Sequence, residues 1–501
     1  MRQTKTASSS GTWLLASTIL GSSMVFIDST VVSIALPVLQ RDLGATALDA
    51  LWVVEAYTLM LGALMLLGGA LGDRYGRKRI FVLGTAIFAT GSALCGLAPS
   101  IHFLILARVL QGAGGMLMAP ASLALIGAFF EGPARGKAIG TWSALTAVTT
   151  AVGPVLGGTV IDHFGWRWVF FFNLPIAIAV IALALRHIPE SRDEGERGAL
   201  DWLGSAMVTL GLGGVVYAFV QSGASGWDGR TIGALIGGVV LLLGFLRTEA
   251  RVAAPVMPLG IFANRAFSGI NAMTFLLYGA LGATFYFVPF IMILVDGYSA
   301  TIAGLAMLPF VALIVTLSRF SGGFAYRIGP RAMLVAGTAT TACGFALYGL
   351  LPDLHYWSGI FPASIVTGIG MGLTVAPLTA TMIESVPQHH VGLASGINNA
   401  VSRVAGLLAI AVFGALLASV FNQRLERRID EAALPPANRA AIERGRAAMA
   451  ATPVKAPRDR AVVLGAYEDG FRVVAVGCAL LAAASTAVAA ATLSRGAARP
   501  G

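Results

Sequence analysis

Five ionisable side chains fall inside long apolar runs of this chain: Asp28, Glu55, Arg108, Arg319 and Arg403. Charge in hydrocarbon is costly, so such residues are candidates for function unless they reach water. Arg319 and Arg403 lie near the ends of their runs, where long side chains can snorkel out. Asp28, Glu55 and Arg108 lie deeper, and the chemistry open to them is proton uptake and release. Burial raises a carboxylate's pKa and a neighbouring arginine lowers it. A motion that changes the acid–arginine distance or the wetting of the site therefore changes proton affinity. A cation arriving near Asp28 would favour its ionised form and expel the proton. Plainer readings stay open: Asp28 as a structural acid bonded to Thr30 or to a neighbouring helix, and Glu55 as a group solvated at the headgroups.

The elements that position these residues follow from composition. The chain has 501 residues, 56% of them hydrophobic and 12% charged, with a mean hydropathy of +0.79. Soluble proteins carry about 25% charged residues, so most of this chain must face lipid. Runs of about 20 apolar residues suffice to cross a bilayer, and fourteen are found. Six precede residue 186, two (Leu203–Ser222 and Thr231–Leu246) follow a charged break, and six lie between Phe267 and Leu493. Taken from the outer ends of their runs, Asp28 sits about 12 Å deep and Arg108 about 9 Å deep at 1.5 Å per residue. Glu55 falls about one turn into the second run, in a similar layer.

An even number of spans puts both termini on one side. Placing them in the cytoplasm gathers Arg2, Lys5, the Arg74–Arg79 cluster, Arg135, Lys137, Arg186, Arg192, Arg197, Arg247, Arg251, Arg265, Arg327, Arg331, Arg495 and Arg499 in inner loops, with little beyond Arg41, Arg167 and Arg230 in the short outer ones, the positive-inside pattern. This asymmetry accounts for the net charge of +10 without nucleic acid as a partner. The segment 422–469, outside in this scheme, carries nine basic residues; it reads as a partly helical or disordered external loop.

The densest basic cluster is "GALGDRYGRKR", Gly69–Arg79. Anchoring explains Arg77, Lys78 and Arg79. It does not explain Asp73, which beside Arg74 and these cations resembles half of a charge lock that breaks when an interface moves. Gly69, Gly72 and Gly76 suit a tight turn or close helix approach. The stretch returns 253 residues later as "GGFAYRIGPRAMLVAG", aligning Arg74 with Arg327, Gly76 with Gly329 and Gly84 with Gly337, but with Tyr326 in place of Asp73. Ala119-Pro120 likewise returns as Ala376-Pro377. Repetition on this scale marks a transporter of two related halves. The expected architecture is an all-α integral membrane protein with two pseudo-symmetric six-helix bundles and two inserted helices. Its parts are residues 1–185, a charged cytoplasmic linker with the inserted pair at 186–266, and 267–501 with the long external loop at 422–469.

With these motifs in place, the chain resembles the major facilitator superfamily, in particular its fourteen-span drug:proton antiporter branch. Gly69, Leu71, Asp73, Arg74, Gly76, Arg77 and Lys78 match the family's loop motif. "DSTVVSIALP", from Asp28 to Pro37, matches the first-span motif, and Arg108, Gln111, Gly112 and Gly114 match the fourth-span motif. Gly153, Pro154, Gly157 and Gly158, with Gly140 upstream, match the antiporter motif of the fifth span, although Thr149 stands where many members have glycine. The resemblance implies proton coupling through Asp28, Arg108 and Glu55, a conformational lock in the loop, and a fifth helix that biases the cycle toward export.

Aromatic and methionine side chains suit a pocket that repacks around varied lipophilic ligands. Trp52, Tyr57, Trp142, Tyr278 and Tyr286, with Gln111, are the candidate substrate-binding residues; Phe275, Phe285 and Met292 are further possibilities, and each could instead serve packing or face lipid. Asp296 and Asp353 fall near outer loops and read as solvated. Cys95, Cys343 and Cys478 have no metal or disulfide spacing. "GPARGKA" around Lys137 lacks the glycine spacing and the final Ser/Thr of a phosphate loop. No cofactor, metal or enzyme is expected. The expectation is a monomeric, multi-pass protein of the cell inner (plasma) membrane that exchanges inward-moving protons for lipophilic drugs or antibiotics, cationic ones among them. Proton-coupled transport of another small organic solute, or a non-transporting sensor on the same fold, remains the alternative.

Overall fold

The computed structural model describes residues 2–192, 201–252, 255, 257–387, 391–454 and 456–493. Every regular element among them is helical. The first half comprises α1 (Arg2–Asp42), α2 (Ala47–Ala63), α3 (Met65–Tyr75), α4 (Arg77–Gly96), α5 (Ile101–Phe129), α6 (Gly132–Phe164), α7 (Trp168–Phe171) and α8 (Asn173–His187). Next come α9 (Trp202–Ser225) and α10 (Gly229–Glu249). The remainder comprises α11 (Arg265–Phe290), α12 (Ala300–Ala306), α13 (Leu308–Ile328), α14 (Pro330–Leu350), α15 (Phe361–Glu384), α16 (Val391–Glu431), α17 (Pro436–Gly445) and α18 (Pro457–Thr492). Twelve helices are long and apolar enough to cross a membrane, and the bent pair α2–α3 makes up to thirteen. The 33-residue α6 is also long enough to span, so fourteen spans are compatible with the structure.

Two boundaries differ from the sequence reading. The second run is not one straight helix: it bends by 48° between α2 and α3. At the break Leu64 has φ −104° and ψ 4°, and the glycines around it leave few side chains to hold the helix straight. The first helix continues through Pro37 to Asp42, since proline is tolerated in a membrane helix when neighbours satisfy the freed backbone group. Asp28 therefore lies fourteen residues from the end of α1, about 21 Å along its axis.

By its internal contacts the chain forms two compact units. One comprises residues 1–35, 52–213 and 238–258; the other comprises 36–51, 214–237 and 259–501. In the first, α5 packs along α3 and α4, and α8 lies on α4. In the second, α14 packs along α15 and α18, and α11 along α16 and α18. The repeat is visible in the backbone. Gly76 has φ +111° and Gly329 φ +91°, and their N–H groups donate to the equivalent carbonyls of Gly72 (3.0 Å) and Ala325 (2.9 Å). Only glycine adopts these values freely, so both copies of the motif make the same turn.

The segment 422–469 is largely helical. It consists of the end of α16, α17, a short 3₁₀ turn at Arg446–Ala451 and the start of α18. Ion pairs tie it together, among them Arg428–Asp469 at 3.0 Å and Arg446–Glu426 at 3.0 Å. Residues 193–200 and 494–501, which include Arg197, Arg495 and Arg499 of the expected inner loops, lie outside the described residues.

Candidate functional site: a buried acid–arginine–amide network

Spacing on α5 sets up the site. Arg108 and Gln111 are three residues apart and share one helix face, and both are fully buried. Arg108 Nη1 donates to Asp28 Oδ2 at 2.5 Å and to Gln111 Oε1 at 2.7 Å. Gln111 Nε2 donates to Asp28 Oδ1 at 2.8 Å, so both carboxylate oxygens have a partner. Arg108 Nε donates to the Val53 carbonyl at 3.0 Å, and its guanidinium lies 4.1 Å from the Tyr57 ring centroid. The ring face supplies further attraction for the cation.

The network extends through Ser92 on α4. Its Oγ accepts from Gln111 Nε2 (3.3 Å) and Asn173 Nδ2 (3.0 Å) and donates to the Phe170 carbonyl (2.8 Å). Helices α1, α2, α4, α5, α7 and α8 thus all contribute to one polar cluster. Gly91 makes the approach of α4 to α5 possible, because a Cβ there would lie 2.6 Å from the Gln111 nitrogen. Ser92 and Asn173 were missed in the sequence, where a lone serine and a lone asparagine carry no motif.

Glu55 is completely buried, which overturns its solvated reading. Among the described residues neither carboxylate oxygen has a hydrogen-bond partner, and Glu55 forms no ion pair with Arg108. The structure therefore brings together Asp28 and Arg108 but leaves Glu55 apart from them. Thr30 does not bond Asp28; its hydroxyl donates to the carbonyls of Ile27 and Phe26.

Beside Asp28, α6 lies against α1. Trp142 Nε1 donates to Ser22 Oγ at 3.1 Å, and Thr149 Oγ1 donates to Ser23 Oγ at 2.9 Å. One turn further, Gly153 faces Thr30, and Gly157 faces Val31, whose Cγ1 would lie 2.3 Å from an added Cβ. Pro154 and Gly158 are buried on the same helix, which runs unbroken through the proline. Thr149, the departure from the motif, supplies a hydrogen bond to α1 that glycine would lack.

In the loop motif, Asp73 at the end of α3 pairs at 2.7 Å with Arg77 at the start of α4, across the Gly76 turn. Arg74 lies 5.6 Å from the Tyr75 ring, Gly69 approaches Pro120, and Lys78 Nζ donates to the Leu185 carbonyl at 3.1 Å. Glu190 was also missed. Its carboxylate accepts the backbone N–H groups of Lys78 (3.0 Å) and Arg79 (3.2 Å), capping α4 where orphan donors and the helix dipole favour an anion. A Cβ on Gly76 would lie 2.7 Å from that carboxylate. The available signal was an acid in "IPES" directly after the sixth span.

The candidate substrate residues scatter. Tyr57 and Gln111 belong to the buried network, not to a pocket wall. Trp52 and Tyr278 are half-buried. Tyr286 is buried beside a cavity of about 20 Å³ with Leu51, Phe290 and Tyr467, and Phe285 borders another of about 10 Å³. Cavities of this size hold about a single water. Of the two acids read as solvated, Asp296 has a side chain only 5% exposed and is 2.9 Å from His355 Nδ1, while Asp353 accepts from Ser358.

Long apolar helices in a repeated arrangement, with a charged network buried in one half, define a polytopic membrane transporter. The family profile described as Major Facilitator Superfamily matches residues 18–410. Similar proteins include a puromycin resistance protein of Streptomyces alboniger (36% identical, 80% of each chain) and a tetracenomycin C resistance and export protein of Streptomyces glaucescens (34%, 85% of this chain and 80% of that one). Another is the multidrug resistance protein Stp of Mycobacterium tuberculosis (33%, 85% of this chain and 79% of that one). Among solved structures, a bacterial homologue of the human lysosomal transporter Spinster shares the fold, with a TM-score of 0.65 at 16% identity over 96% of each chain. The chain belongs to the Major Facilitator Superfamily and is a multi-pass membrane transporter.

Proposed function

We propose that this protein is a secondary exporter that couples inward proton flow to efflux of lipophilic drugs or antibiotics, cationic ones among them, by alternating access. The relatives named for resistance to puromycin and tetracenomycin C and for multidrug resistance support the substrate class. The observation that carries the coupling is the buried Asp28–Arg108 contact. In this reading Asp28 takes up and releases the proton. When Asp28 is neutral, Arg108 keeps the Val53 carbonyl, the Gln111 amide oxygen and the Tyr57 ring as partners, so neither protonation state strands the arginine. A cationic substrate near Asp28 favours its ionised form, which links substrate entry to proton release.

Glu55 is assigned as a second proton site in this reading, because a carboxylate without partners in an apolar interior is better accommodated neutral. The loop of Gly69, Asp73, Arg74, Gly76, Arg77 and Lys78 is assigned as the conformational lock, and Gly153, Pro154, Gly157 and Gly158 as the surface on which α6 moves against α1. Both termini are placed in the cytoplasm and the protein acts as a monomer, with bundles at 1–185 and 267–501 and the inserted pair and linker at 186–266. The testing experiment is a panel of lipophilic antibiotics assayed in proteoliposomes with an imposed proton gradient. Efflux that depends on the gradient supports the reading; gradient-independent flux contradicts the coupling.

A further inference from the structure

The end of α1 and the segment between α16 and α18 enclose a group of arginines that the transport reading does not use. Within 422–469 the acids Glu426, Asp430, Glu431, Glu443 and Asp469 are each held by Arg446, Arg439, Arg427 or Arg428. Arg41, Arg444 and Arg460 have no carboxylate partner among the described residues. Arg444 Nε donates to the Ala440 carbonyl (3.2 Å), and Arg460 Nη2 to the Leu294 carbonyl (3.4 Å).

These three arginines line one cavity of about 560 Å³, together with Val454, Val463 and Leu464. The charges of Arg41 and Arg460 are close enough to repel one another. Like charges gathered around a concave space raise the local concentration of anions, and guanidinium groups match phosphate oxygens in geometry.

Position and wall chemistry narrow the choice. Arg41 is the penultimate residue of the Gly11–Asp42 span, and Arg460 is the fourth residue of the Pro457–Thr492 span. Arg41 therefore falls at the end of a membrane-crossing helix, and Arg460, although it lies in the external segment 422–469, reaches with its guanidinium the Leu294 carbonyl next to the end of the Arg265–Val295 span, the level of lipid headgroups. The valine and leucine wall gives a free phosphate nothing to bind, but suits the glycerol and upper acyl carbons of an amphiphile.

We propose that Arg41, Arg444 and Arg460 form a binding site for the phosphate of an anionic phospholipid, with its glycerol backbone against Val454, Val463 and Leu464. The test is thermal unfolding of the purified full-length protein in detergent with added phosphatidylglycerol, phosphatidylcholine or inorganic phosphate. Phosphatidylglycerol should raise the unfolding midpoint by several degrees, and the other two should not. Arg41→Gln/Arg460→Gln should lose that rise, whereas Arg458→Gln, outside the cavity, should keep it. If the double variant does not fold, Arg444→Gln is compared by native mass spectrometry and should retain several-fold less phosphatidylglycerol. Equal stabilisation by phosphatidylcholine, or full lipid response in the cavity variants, overturns the proposal. An equal rise with inorganic phosphate alone overturns the assignment to a lipid.

Discussion

Arg108 Nη1 contacts Asp28 Oδ2 at 2.5 Å and Gln111 Oε1 at 2.7 Å, so one nitrogen joins the acid and the amide that also bond each other. Removing either end should have unequal effects. Arg108→Leu leaves Asp28 buried with only the Gln111 amide as partner, and breaking a buried pair in this way costs about 3–5 kcal/mol. Asp28→Asn leaves the arginine its carbonyl, amide and ring contacts and should cost less. The double variant Asp28→Asn/Arg108→Leu should recover stability relative to Arg108→Leu without recovering transport. Unfolding midpoints of the purified variants decide this; equal loss in both single variants contradicts the asymmetry.

The loop motif should act on rate. Asp73→Asn removes the Arg77 ion pair at a half-exposed site, and should slow turnover more than it weakens substrate binding. Glu190→Ala removes the acceptor for two backbone donors of α4, a capping loss of about 0.5–2 kcal/mol. Its turnover should fall in the same direction. Maximal rates and half-saturating concentrations in vesicles separate the effects, and a pure affinity loss in Asp73→Asn would sink the lock assignment.

Glu55→Gln keeps the side-chain shape and removes an acid whose oxygens have no partner. As a second proton site, Glu55 should be detectable through the pH dependence of efflux, which shifts in the variant while the amount of folded protein is unchanged. A pH profile superimposable on that of the wild type would assign Glu55 a packing role.

Outside the spans, burial pushes the Asp296 carboxyl above its ordinary value of 3.8, with His355 opposing and Asp353 reinforcing the shift. A raised value means that the folded protein holds this proton more tightly than the unfolded chain. The stabilising contribution is complete below 3.8 and is lost as pH rises through the raised folded value. Asp296→Asn should therefore flatten the decline in unfolding midpoint with rising pH across this window. A variant whose midpoint falls with the wild-type slope contradicts it.

Much of this was legible because membrane insertion restricts the options. Asp28 and Arg108 stand out since ionisable groups in apolar runs must find partners; Gln111, read in the sequence as a motif and substrate-binding residue, proves to be their amide partner, one helix face shared with Arg108 through the i, i+3 spacing on α5. The turn shared by Gly76 and Gly329 could be read from the repeat, since both positions need a backbone that other residues rarely adopt. Ser92 and Asn173 could not be read, because ordinary polar residues acquire meaning only from neighbours 19 and 81 residues away; Glu190 carried no signal beyond its place after the sixth span, and its backbone donor lies 112 residues away. The extension of α1 past Pro37 was hidden because proline usually signals a helix end in water. In 422–469, charges that suggested a loop instead pair across helical turns.

The most direct measurement is substrate efflux from proteoliposomes under an imposed pH gradient, comparing wild type with Asp28→Asn at matched insertion. Asp28→Asn should lose gradient-driven efflux while still binding substrate. Undiminished gradient-driven efflux would remove Asp28 from the coupling step and contradict the account.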